Sequence, residues 1–324
     1  MPSSISSVGS LPRGFIPVML TPFQESGAVD TATLAQLTEF YIEAGAAGLF
    51  ANCLSSEMYE LTEAERLAVT KLVVDQTAGR VPVVATGTFG GPIARQADFV
   101  KRIYDTGVQA VIVITSLIAD ADESDAVFLE RMHELIRLTD NIPLGFYECP
   151  VPYKRLISSD ILKELIPTGR VIYHKDTCLD EAEVARRIAA GAGYQFGLYD
   201  AYMVNAVSSL RAGAAGLSCI QGNEFPELIV WLANNYNNPD RQDDLNRVQQ
   251  FFVDCMDLVH SAYPTIAKYT LQKRGLPISL YTRRDVDPLT PALQHDMDAL
   301  IETANQLQLE LGIEPVQVGK LISE

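Results

Sequence analysis

The sequence of 324 residues is poor in positive charge: it contains 25 Lys and Arg against 41 Asp and Glu, a formal net charge of −16. An acidic surface of this kind repels nucleic acid backbones and anionic lipid headgroups. We therefore expect neither nucleic acid nor a membrane as a partner. Long hydrophobic runs are also missing. The longest one, residues 108–119, is interrupted by polar residues and is shorter than the roughly 20 residues that span a bilayer.

Paired cysteines are absent as well. The five cysteines are an odd number, lie far apart and include no Cys-x-x-Cys pair, which indicates reduced thiols rather than a disulfide framework. Residues 1–12 have neither the basic start nor the apolar segment of a signal peptide. We interpret them as a short N-terminal arm and expect a cytoplasmic protein. The four histidines show no ligand spacing, so we assign them no metal.

The glycine-rich fingerprint of dinucleotide-binding folds, Gly-x-Gly-x-x-Gly, does not follow the first apolar run. Instead, eight short apolar runs alternate with segments of helical periodicity, and successive runs start 22 to 34 residues apart. This alternation predicts βα units on a parallel sheet, and eight such units favour an α/β fold, the (β/α)8 or TIM barrel. The predicted strands are residues 15–20, 48–52, 82–87, 110–115, 143–147, 171–175, 194–198 and 216–220.

Helix signals lie between these strands. Asp30 has the position of an N-cap, and Thr62 with Glu65 has the spacing of a capping box. From residue 224 onward the pattern contains helices only. We therefore predict a barrel over residues 13–235 and a C-terminal helical extension over residues 236–324, which packs on the barrel or on a second subunit.

Barrel enzymes place their active sites at the C-terminal ends of the strands. Lys175 ends the sixth predicted strand and is the only lysine at such a position. Burial in a barrel mouth favours the neutral amine, which can attack a ketone and form a Schiff base. A buried ion pair with Asp176 or Glu148 is the alternative, and position alone does not decide between them.

Tyr147 ends the fifth predicted strand, so we expect it beside Lys175. A phenol there can move protons if a nearby cation lowers its pKa from about 10, whereas an ordinary strand-end aromatic is the alternative. Three carboxylates, those of Glu148, Asp176 and Asp200, follow strands five, six and seven. They could bind Mg²⁺ in a metal-dependent lyase.

Several motifs resemble those of a known family. They are Thr-Pro-Phe at residues 21–23, Tyr-Glu-Cys-Pro at residues 147–150, Lys175 at 28 residues beyond Tyr147, and Gly-Ala-Ala-Gly at residues 213–216 followed by Asn223. Together they are similar to the dihydrodipicolinate synthase and N-acetylneuraminate lyase superfamily, over most of the chain from about residue 13 to residue 311. The resemblance implies a pyruvate-dependent class I aldolase, a carbon–carbon lyase.

The resemblance also implies roles for residues. Lys175 forms the imine with the keto carbon and Tyr147 moves protons, so no cofactor beyond the covalent imine and no metal is expected. Ser55 and Ser56, in the loop after the second strand, bind the substrate carboxylate. The implied partners are a small 2-keto acid and an aldehyde, and the implied assembly is a homo-oligomer, a tetramer or a dimer.

Two further residues are expected to contact the substrate. Thr177 lies two residues beyond Lys175 and could bind a substrate hydroxyl, although it could equally cap a helix. Cys219 stands where many family members have serine. Asp200 could also bind a substrate hydroxyl, although a helix cap is the better interpretation. Because Cys219 is one of four cysteines just after strand ends, we hypothesise that thiol reagents inhibit the enzyme and pyruvate protects it. The alternative is that these small residues only fill tight loops. The four are Cys53, Cys149, Cys178 and Cys219.

Departures from the family pattern direct the functional prediction. Leu54 replaces a relay hydroxyl, and Leu117 stands where members have a tyrosine shared between subunits. Pro152 replaces the arginine that holds a second carboxylate in the synthase branch, with Lys154 and Arg155 only nearby. We therefore favour an aldolase that cleaves or forms a 2-keto-3-deoxy sugar acid or a related 2-keto acid, with pyruvate as product or donor. The alternatives are a dihydrodipicolinate synthase-type condensation, a metal-dependent lyase and a non-catalytic keto-acid-binding barrel.

Overall fold

The computed structural model describes residues 12–321 and has eight parallel strands in one sheet, with β1 and β8 hydrogen-bonded to each other. Next to β1, a parallel bridge between Val18 and Phe50 joins the β1 segment to β2 and closes the sheet into a barrel. The predicted (β/α)8 barrel is therefore confirmed. The strands are β1 (Gly14–Phe15), β2 (Leu49–Ala51), β3 (Val83–Thr86), β4 (Ala110–Ile114), β5 (Leu144–Tyr147), β6 (Val171–Asp176), β7 (Gly197–Asp200) and β8 (Gly216–Leu217).

A helix follows each strand, and further helices continue the chain. Within residues 12–321, no helix combines the length and the apolar composition needed to cross a membrane. The helices are α1 (Thr31–Glu43), α2 (Glu63–Thr77), α3 (Ile93–Tyr104), α4 (Asp125–Leu138), α5 (Ser159–Leu165), α6 (Glu181–Ala190), α7 (Ala206–Ala212), α8 (Pro226–Asn235), α9 (Gln242–Asp254), α10 (Met256–His260), α11 (Thr265–Lys273), α12 (Pro291–Leu311) and α13 (Val318–Leu321).

The predicted helix starts are confirmed. Asp30 caps α1 by accepting a hydrogen bond from the backbone N–H of Thr33. At α2, the Thr62 side chain accepts from the N–H of Glu65, and the Glu65 carboxylate accepts from the N–H of Thr62. These reciprocal bonds satisfy backbone donors that the first helical turn leaves free.

The seventh strand begins later than predicted. Residues 194–198 were expected as a strand, but Tyr194 is exposed and its N–H donates to the carbonyl of Gly191, which forms a turn. The strand therefore starts at Gly197 and includes Asp200 as its last residue. The apolar run alone could not show that its first residues belong to a turn.

The helices beyond α8 pack against the last barrel units. One buried apolar cluster contains Leu217 of β8, Leu228 of α8, Leu245 of α9, Ile266 of α11 and Met297 of α12. The expected N-terminal arm lies almost entirely outside the described residues. The helices beyond α8 thus share one core with the barrel. The predicted division between residues 235 and 236 stays a prediction.

Candidate active site

Lys175 and Tyr147 lie side by side at one end of the barrel. They are direct partners in the register of the parallel strands β5 and β6. The Lys175 Nζ lies 4.1 Å from the centroid of the Tyr147 ring, and each residue is only 4% exposed. The predicted neighbourhood of these two residues is therefore present in the structure.

Alternation along β6 separates Lys175 from the nearby carboxylates. Tyr173, two residues earlier, stacks on Tyr199 of β7 inside the barrel, whereas His174 contacts the ring of Phe196 on the outer side. Because successive side chains of a strand point to opposite faces, Lys175 points inward and Asp176 outward. Among residues 12–321 no carboxylate pairs with Lys175, so the ion-pair alternative is wrong.

Burial sets the protonation of Lys175. Loss of hydration lowers the pKa of its amine, and the positive charge of Lys154 adds to this effect, while nearby cysteines oppose it. Desolvation disfavours the charged form of an amine. A larger fraction of Lys175 is therefore neutral and nucleophilic than for a lysine in water.

Tyr147 differs from the expectation in one respect. A cation was expected to lower its pKa, but burial raises the pKa of this phenol well above its ordinary value, with smaller contributions from Cys149 and Cys53. The Lys175 amine lies over the ring face, near the ring centroid. Tyr147 is therefore a neutral phenol that can donate a proton, and once deprotonated it is a strong base.

A cavity of about 450 Å³ opens at these two residues. Ser55 and Thr177 line it together with Lys175 and Tyr147, so four of the predicted site residues come together. Thr177 uses its hydroxyl to donate to the backbone carbonyl of Glu148 at 2.9 Å. Its oxygen can still accept a hydrogen bond from a ligand.

Ser56 and Cys219 do not line this cavity. The Ser56 hydroxyl donates to the carbonyl of Met19 at 2.6 Å and accepts from the N–H of Cys53 at 3.0 Å. Cys219 is 1% exposed. Ser56 thus joins the loop after β2 to Met19, and Cys219 packs in the buried apolar cluster around β8. No geometry supports their predicted contact with substrate.

Cys53, Cys149 and Cys219 lie near Lys175, but the cysteines do not face the cavity. None of the four belongs to the cavity lining, and Cys53, Cys149 and Cys219 are buried. Burial raises the pKa of Cys219 and of Cys178 to about 12 each, which leaves little thiolate for reaction. The structure therefore favours small residues filling tight loops over inhibition by thiol reagents.

A cluster of charged side chains lies behind the strands. The Arg187 Nη1 is 2.9 Å from Glu148 Oε1 and 2.6 Å from Asp176 Oδ2, and His174 is near both carboxylates. Ligand atoms of Glu148, His174 and Asp176 lie within 4.8 Å of one another, as a metal site requires. The guanidinium, however, already supplies the cation that these carboxylates need.

Asp200 does not join this cluster. Its Oδ1 accepts from the N–H of Tyr202 at 2.8 Å, and its Oδ2 accepts from the Ser209 hydroxyl. It therefore braces the connection from β7 to α7, which is close to the cap that was the better interpretation. Within residues 12–321, no carboxylate side chain belongs to the cavity lining. The three-carboxylate Mg²⁺ site, which was the alternative interpretation, is therefore not formed by Glu148, Asp176 and Asp200.

Sequence reasoning missed residues that reach the cavity from the C-terminal helices. His260 ends α10, Tyr263 lies between α10 and α11, and Arg284 lies between α11 and α12; all three line the cavity. Gln221, which follows β8, lines it too, and its Oε1 is buried without a partner among the described residues. Gln221 could have been found from the rule that barrel sites lie at the C-terminal ends of strands. No sequence pattern marked His260, Tyr263 or Arg284 as cavity residues.

Glu57 holds the segment with Arg284 in place. Its Oε1 accepts from the Lys268 Nζ at 2.9 Å, and its Oε2 accepts from the backbone N–H groups of Arg283 and Arg284 at 2.7 and 2.9 Å. Glu57 and Lys268 are both fully buried. The loop after β2 and the loop before α12 thus form one wall of the mouth.

Comparisons with known proteins agree with this architecture. The model of the family described as "Dihydrodipicolinate synthetase family" matches residues 11–304. A 4-hydroxy-tetrahydrodipicolinate synthase from Shewanella denitrificans is 26% identical over 304 residues, covering 92% of this chain and 99% of the relative. An uncharacterized DapA-like lyase from Halobacterium salinarum is 27% identical over 264 residues, covering 81% and 84%.

A solved structure has the same fold. It is YagE, a prophage protein of the dihydrodipicolinic acid synthase family from E. coli K12, in complex with pyruvate. The TM-score is 0.81 at 22% identity, and the match covers 90% of this chain and 98% of the other.

Proposed function

The chain belongs to the dihydrodipicolinate synthetase family and is a lyase-class enzyme, and from that premise we propose that it cleaves or forms a 2-keto-3-deoxy sugar acid or a related 2-keto acid, with pyruvate as product or donor. The observation that carries this proposal is the Lys175 amine, which is buried at the cavity and lies 4.1 Å from the Tyr147 ring centroid. Among residues 12–321 it has no ion-pair partner. In this reaction Lys175 is the nucleophile and Tyr147 the proton carrier.

The proposed reaction begins with addition of the neutral Lys175 amine to C2 of the keto acid. Tyr147 gives its proton to the C2 oxygen, and the amine nitrogen gives it a second one. The oxygen then leaves as water, and the protonated imine and the Tyr147 phenolate remain. The bond between C3 and C4 then breaks, and its electron pair moves into the imine to give an enamine. The Tyr147 phenolate takes the proton of the C4 hydroxyl, which becomes the aldehyde carbonyl. Protonation at C3 and addition of water release pyruvate and Lys175.

The polar groups of the cavity suit an anionic substrate. Lys154 and Arg284 line it with Lys175, and no carboxylate of the described chain does so, although the protein as a whole carries a net charge of −16. Such a site attracts an organic acid that the rest of the surface repels. We assign the 1-carboxylate of the keto acid to the side of Ser55.

Gln221 supports a hydroxylated substrate. Its amide oxygen is buried at the cavity without a hydrogen-bond partner among residues 12–321. A buried polar group of this kind is stabilised when a ligand supplies the missing bond. A hydroxyl of a sugar acid can donate to Gln221 Oε1, and another can donate to the Thr177 oxygen.

A second candidate is the condensation of pyruvate with an aldehyde that carries another carboxylate, the reaction type of the relatives named as synthases. The observation that favours it is the presence of Lys154 and Arg284 in the cavity, since either cation could bind that carboxylate. We further propose a homo-oligomer, a tetramer or a dimer. We also propose a reducing cytoplasm as its location, because the five cysteines are all free thiols and four of them are buried.

The test is reductive trapping. Incubation with pyruvate and borohydride, followed by peptide mapping, is expected to yield a reduced adduct on Lys175 and none in Lys175→Met. Lys163→Met, an exposed lysine on α5, is the matched control and should be trapped like the natural protein. Pyruvate release is then measured across 2-keto-3-deoxy acids, and consumption of pyruvate with dicarboxylic aldehydes. Trapping without turnover of either class would indicate a binding barrel.

A further inference from the structure

Two buried side chains and a half-buried one form a continuous hydrogen-bonded chain that ends at the cavity. Tyr41 of α1 contacts Asn223, which follows β8, with 2.7 Å between the phenol oxygen and Asn223 Oδ1. Asn223 Nδ2 lies 2.7 Å from the phenol oxygen of Tyr263. Tyr263 lines the cavity, whereas Tyr41 and Asn223 do not.

The direction of these hydrogen bonds is fixed at Tyr41. This residue is 0% exposed, and Asn223 is the only acceptor that its hydroxyl contacts among residues 12–321. An amide oxygen can only accept, so Tyr41 donates to Asn223 Oδ1. The reverse orientation of the amide would leave the Tyr41 proton buried without an acceptor, which is strongly unfavourable.

This direction determines what Tyr263 can do. Asn223 Nδ2 donates to the Tyr263 oxygen, so the proton of Tyr263 cannot point back at Asn223 and is free for a partner on the cavity side. The Ser55 hydroxyl is close to this phenol, and burial keeps Tyr263 in its neutral form. Tyr263 is thus a donor held in a set orientation beside Ser55.

We propose that Tyr263 and Ser55 form the subsite for the 1-carboxylate of the keto acid, with Tyr263 donating a hydrogen bond to a carboxylate oxygen. Tyr41 is a positioning residue that acts through Asn223. The proposal rests on the proposed function and extends it, because it makes the segment between α10 and α11 of the same chain part of substrate recognition. No proton leaves Tyr263 in this role.

The experiment compares two ketones in the trapping reaction. With pyruvate, Tyr263→Phe is expected to raise the half-saturating concentration at least 10-fold, with little change in the maximal trapping rate. With hydroxyacetone, which lacks a carboxylate, the variant should behave like the natural protein. Tyr269→Phe is the matched control, since its hydroxyl contacts Asp298 on α12 and does not line the cavity. Equal losses with both ketones, or unchanged pyruvate saturation, would overturn the proposal.

Tyr41→Phe tests the orientation itself. Without the Tyr41 proton the Asn223 amide can rotate, and Tyr263 can then donate to Asn223 Oδ1 instead of the substrate. Pyruvate saturation should therefore weaken selectively in this variant too, although Tyr41 never meets the ligand. Unchanged pyruvate saturation in a folded Tyr41→Phe, judged by its thermal midpoint, contradicts the assigned orientation.

A measurement without imine chemistry separates this proposal from the aldolase. Pyruvate binding to Lys175→Met is followed by ligand-observed NMR, with and without Tyr263→Phe. Weaker binding in the double variant supports the subsite even if the natural protein forms no adduct. Equal binding in both overturns the subsite while leaving imine formation standing.

Discussion

Lys154 shows how one exposed side chain can tune a buried one. It lies at the rim of the same cavity as Lys175, and its positive charge lowers the pKa of the Lys175 amine beyond the effect of burial. Like charges disfavour each other's charged form. Its place in the loop after β5 therefore gives it an electrostatic role besides any contact with a substrate.

Lys154→Met should raise the pKa of Lys175, since a charge that opposes its protonation is removed. The neutral fraction at a given pH then falls, so the acid side of the pH profile for pyruvate trapping moves to higher pH. Because Lys154 is exposed to solvent and its charge is screened, we expect this shift of the profile to be small. The trapping rate as a function of pH measures it, and a profile that moves to lower pH would contradict the prediction.

Gln221→Leu tests the assigned substrate class at the same scale. The change keeps the side-chain size and removes the amide that has no partner. We expect about a 10-fold or greater loss of kcat/KM on hydroxylated keto acids, as for loss of one hydrogen bond to a substrate hydroxyl. Trapping with pyruvate, which has no hydroxyl, should change little, and steady-state kinetics with both substrates gives the comparison.

At the scale of secondary structure elements, β5, β6 and α6 are joined through Arg187. This residue is 1% exposed and bridges Glu148 of the β5 loop and Asp176 of β6. Burial disfavours the Glu148 carboxylate, but His174 and Arg187 together with the N–H of Ile157 lower its pKa. The outer side of the strands that carry Tyr147 and Lys175 is thus fixed by a charge cluster.

Arg187→Met should destabilise the fold by about 3–5 kcal/mol, because it leaves two buried carboxylates without their cation. The loss should shrink at acidic pH, where those carboxylates can be neutralised by protonation. Arg186→Met is a matched control one residue away, since Arg186 is exposed and pairs only at the surface; its effect should stay within about 0.5 kcal/mol. Urea unfolding at two pH values measures both, and similar losses would contradict the prediction.

Asp200 should give the protein a distinctive pH dependence. Burial raises its pKa to about 7, although Ser209 and the N–H of Tyr202 oppose this, whereas an unfolded Asp titrates near 4. The neutral acid is favoured in the folded state, so its contribution is complete below about pH 4 and is lost as pH rises to about 7. Asp200→Asn should thus gain stability relative to the natural protein between pH 5 and 8, as thermal midpoints can show. The control Asp160→Asn, at an exposed residue of α5, should not gain stability over this pH range.

At the scale of the whole molecule, the repeat of strands and helices was sufficient to predict a closed barrel and to place Lys175 beside Tyr147. That Ser56 does not reach the cavity could not be predicted from this repeat, because a short helical turn directs its hydroxyl to the carbonyl of Met19. Tyr263 and Arg284 were not predicted as cavity residues, because they reach the cavity from the C-terminal helical segments and not from the strand ends. Their positions follow from packing of the last helices, which no local pattern encodes.

The shared core predicts the behaviour of a shortened chain. A chain ending at residue 235 would expose Leu217 and Leu228, which α9, α11 and α12 cover in the full protein. We expect this fragment to lose cooperative unfolding and to bind hydrophobic dyes, in contrast to the full chain. Calorimetry and dye fluorescence provide the check, and a cooperative transition in the fragment would show that the barrel folds alone.

The bonds of Glu57 have a consequence for how this enzyme can diverge. One carboxylate joins the loop after β2 to Lys268 and to the backbone N–H groups of Arg283 and Arg284, so one wall of the cavity is shared between distant parts of the sequence. A change that moves one loop must be matched in the other, or a buried charge loses its partner. New specificities should therefore arise by paired substitutions in the loop after β2 and the loop before α12. Exchange of one of these loops alone should yield a protein that is inactive or does not fold.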